Sequence, residues 1–328
     1  MMRRPFGALG EVSVLTLGGG GIGQGWGETA REECIATIRA AVDAGIDLLD
    51  TAPMYRNCEA IVGEAFAGRL PQGLRVTSKC SLGTPPAREV AARLTKSLDD
   101  SLRMMRLDHV DIFFLHTNIC ADDYVYAIRP DRQDEFATRW SVYAEAVIPA
   151  FEALKAAGKI ATWGITGSGV PETIIRALRH ETKPNYVQAV TNLLDSAGSL
   201  RRYAEAARPR DIIAAANEGG VGVLGIRAVQ AGALTAEIDR PLSANNPDTR
   251  DFAGAAPFRA LCAEIGEDPA VLAHRYALSM SGVATVILGV KNRAELAQCV
   301  AGAEAGPLPP DLMARIDGLG LRSHSSSH

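Results

Sequence analysis

The chain lacks the features that would mark it for export, a membrane or a nucleic acid. Its six cysteines, at 34, 58, 80, 120, 262 and 299, are scattered through 328 residues without a Cys-x-x-Cys pair. Such spacing suits neither a disulfide framework nor a zinc site, and it fits a reduced, cytoplasmic chain of small buried thiols. Histidine is just as sparse: six in all, two of them (324 and 328) in the tail, and none at metal-ligand spacing, so no metal is expected. No stretch approaches the ~20 apolar residues of a membrane helix. The opening MMRRPFGALGEVSVL carries two arginines, but its apolar run is short and broken by glycine, unlike a secretory leader. A net charge of −4 leaves no electrostatic case for binding nucleic acid or an anionic membrane. What is present is 47% apolar residues, enough for a sizeable globular core.

Those residues fall into a repeated alternation. Short apolar runs read as strands: VSVLTL (12–17), DLLD (47–50), LRVTS (74–78), VDIFFL (110–115), IATWGI (160–165), YVQAV (186–190), VGVLGI (221–226) and ATVIL (284–288). Several are continuously apolar, as strands covered on both faces must be. Helix-length segments lie between them. Residues 31–44 place Ile35, Ile38 and Val42 on one face, and residues 87–105 do so with Val90, Leu94, Leu98 and Leu102. Segments 143–157, 171–180, 208–218 and 293–301 repeat the pattern, with Gly45, Gly158 and Gly219 placed as left-handed helix stops. Eight β-then-α units predict an α/β fold: one parallel (β/α)8 TIM barrel over residues 1–320, followed by a polar tail, 321–328. Its active face is then the C-terminal rim. The segments after the fourth strand (117–140) and the seventh (227–255) are too long for ordinary connections and are expected to carry function.

Gly18, Gly20 and Gly23 match the Gly-x-Gly-x-x-Gly pattern of dinucleotide-binding Rossmann turns. That turn needs a helix to begin at once, whereas QGWGETA follows here and the next helix is expected only near Arg31. The glycines read better as a turn at the barrel mouth that something must approach closely, with Gly19 and Gly20 as candidate cofactor contacts.

Three successive strands end in an ionisable side chain: Asp50, Lys79 and His116, with Tyr55 five residues past Asp50. Singly, each has a structural explanation, such as a helix cap for the aspartate. Together they suit one reaction. Reducing a carbonyl requires a hydride at carbon and a proton at oxygen. A phenol with an ordinary pKa of about 10 needs a nearby cation to serve near neutrality. Lys79 can supply the charge, Asp50 can hold the ammonium, and His116 can orient the carbonyl oxygen.

With these residues in view, the chain resembles the aldo-keto reductase superfamily over nearly its whole length. The motif DTAPMYRNCEAIVGEAF resembles the family signature, with Arg56 where glycine is usual; RVTSK and DIFFLH resemble its lysine and histidine strands. GKIATWGIT and NYVQAVTNLL resemble its fifth-helix approach and its Gln-x-x-x-Asn segment. The resemblance implies Tyr55 as proton donor and acceptor, with Asp50, Lys79 and His116 as partners. It further implies that Gln188 and the hydroxyl of Thr166 hold the nicotinamide carboxamide, although Gly167 stands where an asparagine is usual. Ile226 takes the place of an aromatic on the nicotinamide face, and Arg227 that of a basic residue near the pyrophosphate. Lys291 falls near the adenosine 2′-phosphate. Glu295, where Arg or Gln is usual, would repel a phosphate but accept a ribose diol. NADP(H) is the preferred cofactor on this basis and NAD(H) the rival.

The substrate implied is a small aldehyde, ketone or sugar and its alcohol, met by Trp26 and by the two long segments. Tyr124, with Asp122, Asp123, Tyr126, Arg129 and Arg132, forms either a lid or a solvated loop. A monomer or weak homo-oligomer is expected. Two other readings compete. A metal-dependent hydrolase on the same barrel would need clustered His and Asp at strand ends, where only His116 stands. A cofactor-binding regulatory subunit with little turnover, like the potassium-channel β-subunits, would keep the fold without the chemistry.

Overall fold

The computed structural model describes residues 1–322; the remainder of the expected tail, 323–328, lies outside the described residues. Eight strands form a closed, all-parallel barrel: β3 (Leu15–Gly18), β4 (Leu48–Asp50), β5 (Arg75–Cys80), β6 (Val110–Leu115), β9 (Ile160–Thr166), β10 (Tyr186–Val190), β11 (Gly222–Ile226) and β12 (Thr285–Leu288). They follow one another in chain order around the barrel, which closes where β12 pairs with β3 through Val286 and Leu15. The expected helices surround it, among them Arg31–Asp43 and Ala87–Met105, whose Val90, Leu94, Leu98 and Leu102 are all buried.

The run at 12–17 is two strands, not one. Residues Glu11–Ser13 (β2) pair antiparallel with Arg3–Pro5 (β1), and the barrel strand starts only at Leu15. Ser13 forces the break. Its hydroxyl donates to the Leu15 carbonyl at 2.6 Å, and its backbone N–H donates to the Asp47 carboxylate at 2.9 Å. The hairpin carries Phe6 under the barrel, where it packs on Tyr186 at 4.3 Å between ring centroids, with Val12, Leu48, Ile112 and Phe114 filling the same layer. Filling this end leaves the C-terminal rim as the open face.

Both long segments are ordered. After β6 the chain forms a two-strand parallel sheet, β7 (Asn118–Cys120) with β8 (Ala137–Arg139), over a small core of Cys120, Tyr126, Ala137, Val170 and Tyr203. After β11 it forms the helix Pro247–Gly254. Three further helices, Ala256–Ile265, Pro269–Ser279 and Pro310–Asp317, precede or follow β12. Gly45 and Gly158 adopt the left-handed turn expected of them, with φ of 86° and 73°. Gly219 does not; its φ is −81°, and Gly220 (φ 67°) makes the stop instead. The start of the tail is anchored, because Arg322 pairs with Asp317 at 2.6 Å.

Candidate active site

The ends of β4, β5 and β6 bring Asp50, Lys79 and His116 side by side, with Tyr55 on the loop that leaves β4. Asp50 and Lys79 are essentially inaccessible. Burying two charges is costly unless every donor and lone pair is used. Here the Lys79 Nζ donates to Asp50 Oδ2 at 2.7 Å and to the Thr51 carbonyl at 2.8 Å. Asp50 Oδ1 accepts from Thr77 Oγ1 at 2.9 Å and from Gln188 Nε2 at 2.6 Å. The ammonium lies 4.5 Å from the centroid of the Tyr55 ring, and the His116 ring meets the same ring edge-on at 5.9 Å.

The electrostatics follow from this packing. Burial disfavours the Lys79 ammonium most strongly, but Asp50 and Tyr55 together outweigh it and hold the lysine above its ordinary value. Burial pushes the Tyr55 phenol up, and Lys79 opposes that shift. Burial, then the Lys79 charge, lowers His116 to about 3, so its imidazole is neutral at physiological pH. Its Nδ1 is buried without a partner among the described residues. The site is thus a fixed cation, a protonated phenol and a neutral imidazole packed together at the C-terminal ends of the strands.

The glycine run departs from expectation. A one-turn helix, Gly19–Ile22, begins directly after β3 rather than near Arg31. None of Gly18 to Gly23 has a positive φ, and the need for glycine is one of space. A Cβ at Gly19 would stand 2.5 Å from Cys58 Sγ and 3.0 Å from the Tyr55 ring; one at Gly23 would stand 1.8 Å from the Tyr55 carbonyl. The turn therefore packs on the tyrosine loop. A Cβ at Gly20 would instead meet the exposed Trp26 indole at 2.8 Å. Arg56, where the related signature has glycine, adopts a left-handed φ of 50° and is tied by its guanidinium to the Gln24 carbonyl at 2.9 Å.

The other candidate contacts divide. Thr166, at the end of β9, is buried and donates to the Leu115 carbonyl at 3.3 Å; Gln188 sits on the adjacent β10 and serves Asp50. Ile226 is half-buried at the end of β11. Arg227 is committed elsewhere: its guanidinium is buried and bound to Asp248 at 2.6 Å and Gln230 at 2.8 Å. Lys291 pairs with Asp239 and lies 3.6 Å from Glu295, whose other oxygen accepts the Lys291 backbone N–H at 2.9 Å. The Tyr124 hydroxyl donates to Glu205 at 2.6 Å, and its ring meets Tyr126 edge-on at 5.0 Å.

Sequence reasoning missed Thr77 and Glu59. Thr77 lies two residues before Lys79 on β5, on the same face by strand alternation, and that periodicity would have found it. Glu59 backs β5 from the helix Cys58–Ala65, where it accepts from Ser78 Oγ at 2.7 Å. Among the described residues no cluster of His, Cys, Asp or Glu could hold a metal ion, and no helix is long and apolar enough to cross a membrane.

A parallel barrel with a Tyr, Lys, Asp and His set at its C-terminal rim defines a class of barrel oxidoreductases. Consistent with this, the model of the aldo/keto reductase family matches residues 14–320, and the chain belongs to that family. It is 26% identical to L-galactose dehydrogenase of Arabidopsis thaliana over 295 residues, covering 89% of this chain and 84% of that one. Two solved structures share its fold. An aldo-keto reductase from Bacillus halodurans in its holo form superposes with a TM-score of 0.69 at 23% identity, covering 97% of this chain and 96% of that one. The glycerol dehydrogenase of Gluconobacter oxydans gives 0.70 at 22%, covering 97% and 94%.

Proposed function

We propose that this enzyme interconverts a small aldehyde or ketone, a polyol or sugar among them, and the corresponding alcohol, with Tyr55 as general acid and base. The observation that carries the reading is the buried, hydrogen-bonded Asp50–Lys79 pair set against the Tyr55 ring. In reduction the phenol gives its proton to the carbonyl oxygen. In oxidation the phenolate takes it back, and the immobile Lys79 charge lowers the cost of forming that phenolate. A neutral imidazole keeps one N–H to hydrogen-bond the carbonyl oxygen and direct it toward Tyr55, which an imidazolium would do only with a second buried charge. L-galactose dehydrogenase and glycerol dehydrogenase act on polyhydroxylated molecules by their names, which supports the sugar or polyol class.

The nicotinamide end of a dinucleotide fits Thr166 and Gln188, buried polar side chains on adjacent strand ends beside Asp50. Bound there, the cofactor supplies or receives the hydride. Gly19, Gly20 and Ile226 line the approach. Arg227, locked to Asp248, does not fit a pyrophosphate contact. NADP(H) remains the first assignment through Lys291. One observation favours NAD(H) as a second: the Lys291 ammonium already faces two carboxylates, Asp239 and Glu295, which would repel a 2′-phosphate. A reduced, cytoplasmic setting and a monomer or weak homo-oligomer complete the proposal; all six cysteines are unpaired and buried.

The test is consumption of NADPH and of NADH by the purified protein with 4-nitrobenzaldehyde, together with NADP+ and NAD+ reduction on a panel of polyols and sugars. Turnover that disappears in Tyr55→Phe supports the reading. Tight cofactor binding without turnover on any substrate would instead favour a regulatory subunit.

A further inference from the structure

The Asp50 carboxylate is held from two directions, and one of them lies across the barrel. In the closed ring of strands, β10 stands four places from β4 whichever way the ring is followed, so the two are opposite one another. The bond from Gln188 Nε2 to Asp50 Oδ1, at 2.6 Å, therefore crosses the barrel interior. From the near side, Thr77 stands beside Asp50 in the β4–β5 register and donates to the same oxygen at 2.9 Å. The other oxygen, Oδ2, holds the Lys79 ammonium. All four residues are buried.

The Gln188 amide has one orientation open to it. An ionised carboxylate only accepts, so Nε2 must face Asp50 and Oε1 must face away. Among the described residues Gln188 makes no other side-chain hydrogen bond. Its N–H is thus spent on Asp50, whatever its oxygen meets. The titratable groups facing the Tyr55 phenol are Lys79 from β5, Asp50 from β4, His116 from the end of β6 and Cys58 from the helix Cys58–Ala65. The imidazole is neutral, and burial keeps the thiol protonated. The balance at the phenol therefore lies between the Lys79 ammonium, which favours the phenolate, and the Asp50 carboxylate, which opposes it. An N–H donated to that carboxylate draws its charge away from the phenol and fixes the plane in which Oδ2 holds Lys79.

We infer that Gln188 is a positioning residue for the proton transfer: acting through Asp50 from the opposite side of the barrel, it sets how strongly Lys79 favours the Tyr55 phenolate. This role is separate from any contact that Gln188 makes with a cofactor, and it rests on the reductase reading above.

The experiment compares the wild type with Gln188→Met, which keeps the length of the side chain and removes both its polar atoms. A second variant, Thr77→Val, removes the other bond to Asp50 Oδ1 and leaves Gln188 in place. The first readout is the pH profile of alcohol oxidation at saturating cofactor. Both variants should move the rising limb to higher pH by about half a unit or more, because the Asp50 charge is then less compensated. A glutamine that only held the cofactor would weaken cofactor binding and leave the limb in place once the cofactor saturates. The second readout needs neither cofactor nor turnover: the Lys79 ammonium signal in a proton–nitrogen NMR correlation of the cofactor-free protein, identified by its loss in Lys79→Met. It should shift in both variants. A limb unmoved in Gln188→Met, or a Lys79 signal that keeps its wild-type position there, overturns the inference and leaves Gln188 a cofactor contact alone. If no alcohol is oxidised, the reductase reading fails separately, and the Lys79 signal still decides the role of Gln188.

Discussion

The rim of this barrel is built to two standards. On the β4–β6 side, Asp50, Lys79 and His116 stand on strand ends whose register is fixed by the barrel ladder: Asp50 faces Thr77, and Lys79 faces Phe114. On the β11–β12 side, Arg227 and Lys291 stand on loops and Glu295 in the first turn of the helix Arg293–Glu304, and each is engaged by a residue outside the barrel strands. Side chains on strand ends can be placed for chemistry before any ligand arrives. Cations on loops are neutralised internally until a ligand competes for them. The first side should therefore respond to mutation in rate and stability, and the second in ligand affinity and choice.

The largest effect that would sharpen this contrast belongs to Tyr55→Phe. Proton transfer by a placed side chain is typically worth ~10²–10⁴-fold, so kcat should fall by that factor while cofactor affinity and thermal midpoint hold. Retention of more than half the activity would remove Tyr55 from the mechanism. Lys79→Met comes next, because it leaves Asp50 as a buried charge held only by Thr77 and Gln188. Breaking a buried pair costs on the order of 3–5 kcal/mol in stability, measurable by denaturant titration. A loss below about 1 kcal/mol would mean the pair is not the structural unit described here.

On the loop side, Lys291→Ala should weaken NADPH by roughly 1.5–3 kcal/mol in a fluorescence titration and leave NADH nearly untouched, if the lysine meets a 2′-phosphate. Tighter wild-type binding of NADH, with no effect of Lys291→Ala, would establish NAD(H) instead. Glu295→Gln should improve NADPH modestly by removing a like charge near the phosphate, and an unchanged affinity would place Glu295 outside that contact. Smallest of all is the expected effect of pH on His116. Because its proton affinity is depressed to about 3, the reduction rate should show no His116 inflection between roughly pH 5 and 8. An inflection near 6.5 that disappears in His116→Asn would show that the imidazole titrates normally.

Much of this was legible in the sequence wherever a period met a boundary. Strand 110–115 and helix 87–105 were delimited correctly because continuous apolar runs and a four-residue stripe leave no alternative. Asp50, Lys79 and His116 were legible as neighbours because each ends or directly follows such a run, whereas Tyr55 was found by its spacing from Asp50 and by the motif around it. The hairpin at 3–13 was not, since Ser13 breaks a run whose hydrophobicity continues. The glycines at 18–23 do mark a close approach, but what approaches was hidden: Cys58 and Tyr55 at Gly19 and Gly23, Leu288 and Val290 at Gly18 and Gly21, and Trp26 at Gly20 are mostly long-range contacts that local pattern does not carry. The partners of Arg227 and Lys291 were hidden for the same reason, because Asp248 and Asp239 reach them from elsewhere in the segment after β11.

The central claim is that the Lys79 charge tunes the Tyr55 phenol, and one pH profile tests it most directly. Alcohol oxidation needs the phenolate, so its rate should rise with pH through the effective pKa of Tyr55. Removing the cation in Lys79→Met raises that pKa further, since the burial that disfavours the phenolate is then unopposed by a positive charge. The rising limb of the residual oxidation profile should accordingly move to higher pH than in the wild type. A folded, active variant whose limb stays where the wild type has it would contradict the account and leave Lys79 a purely structural residue.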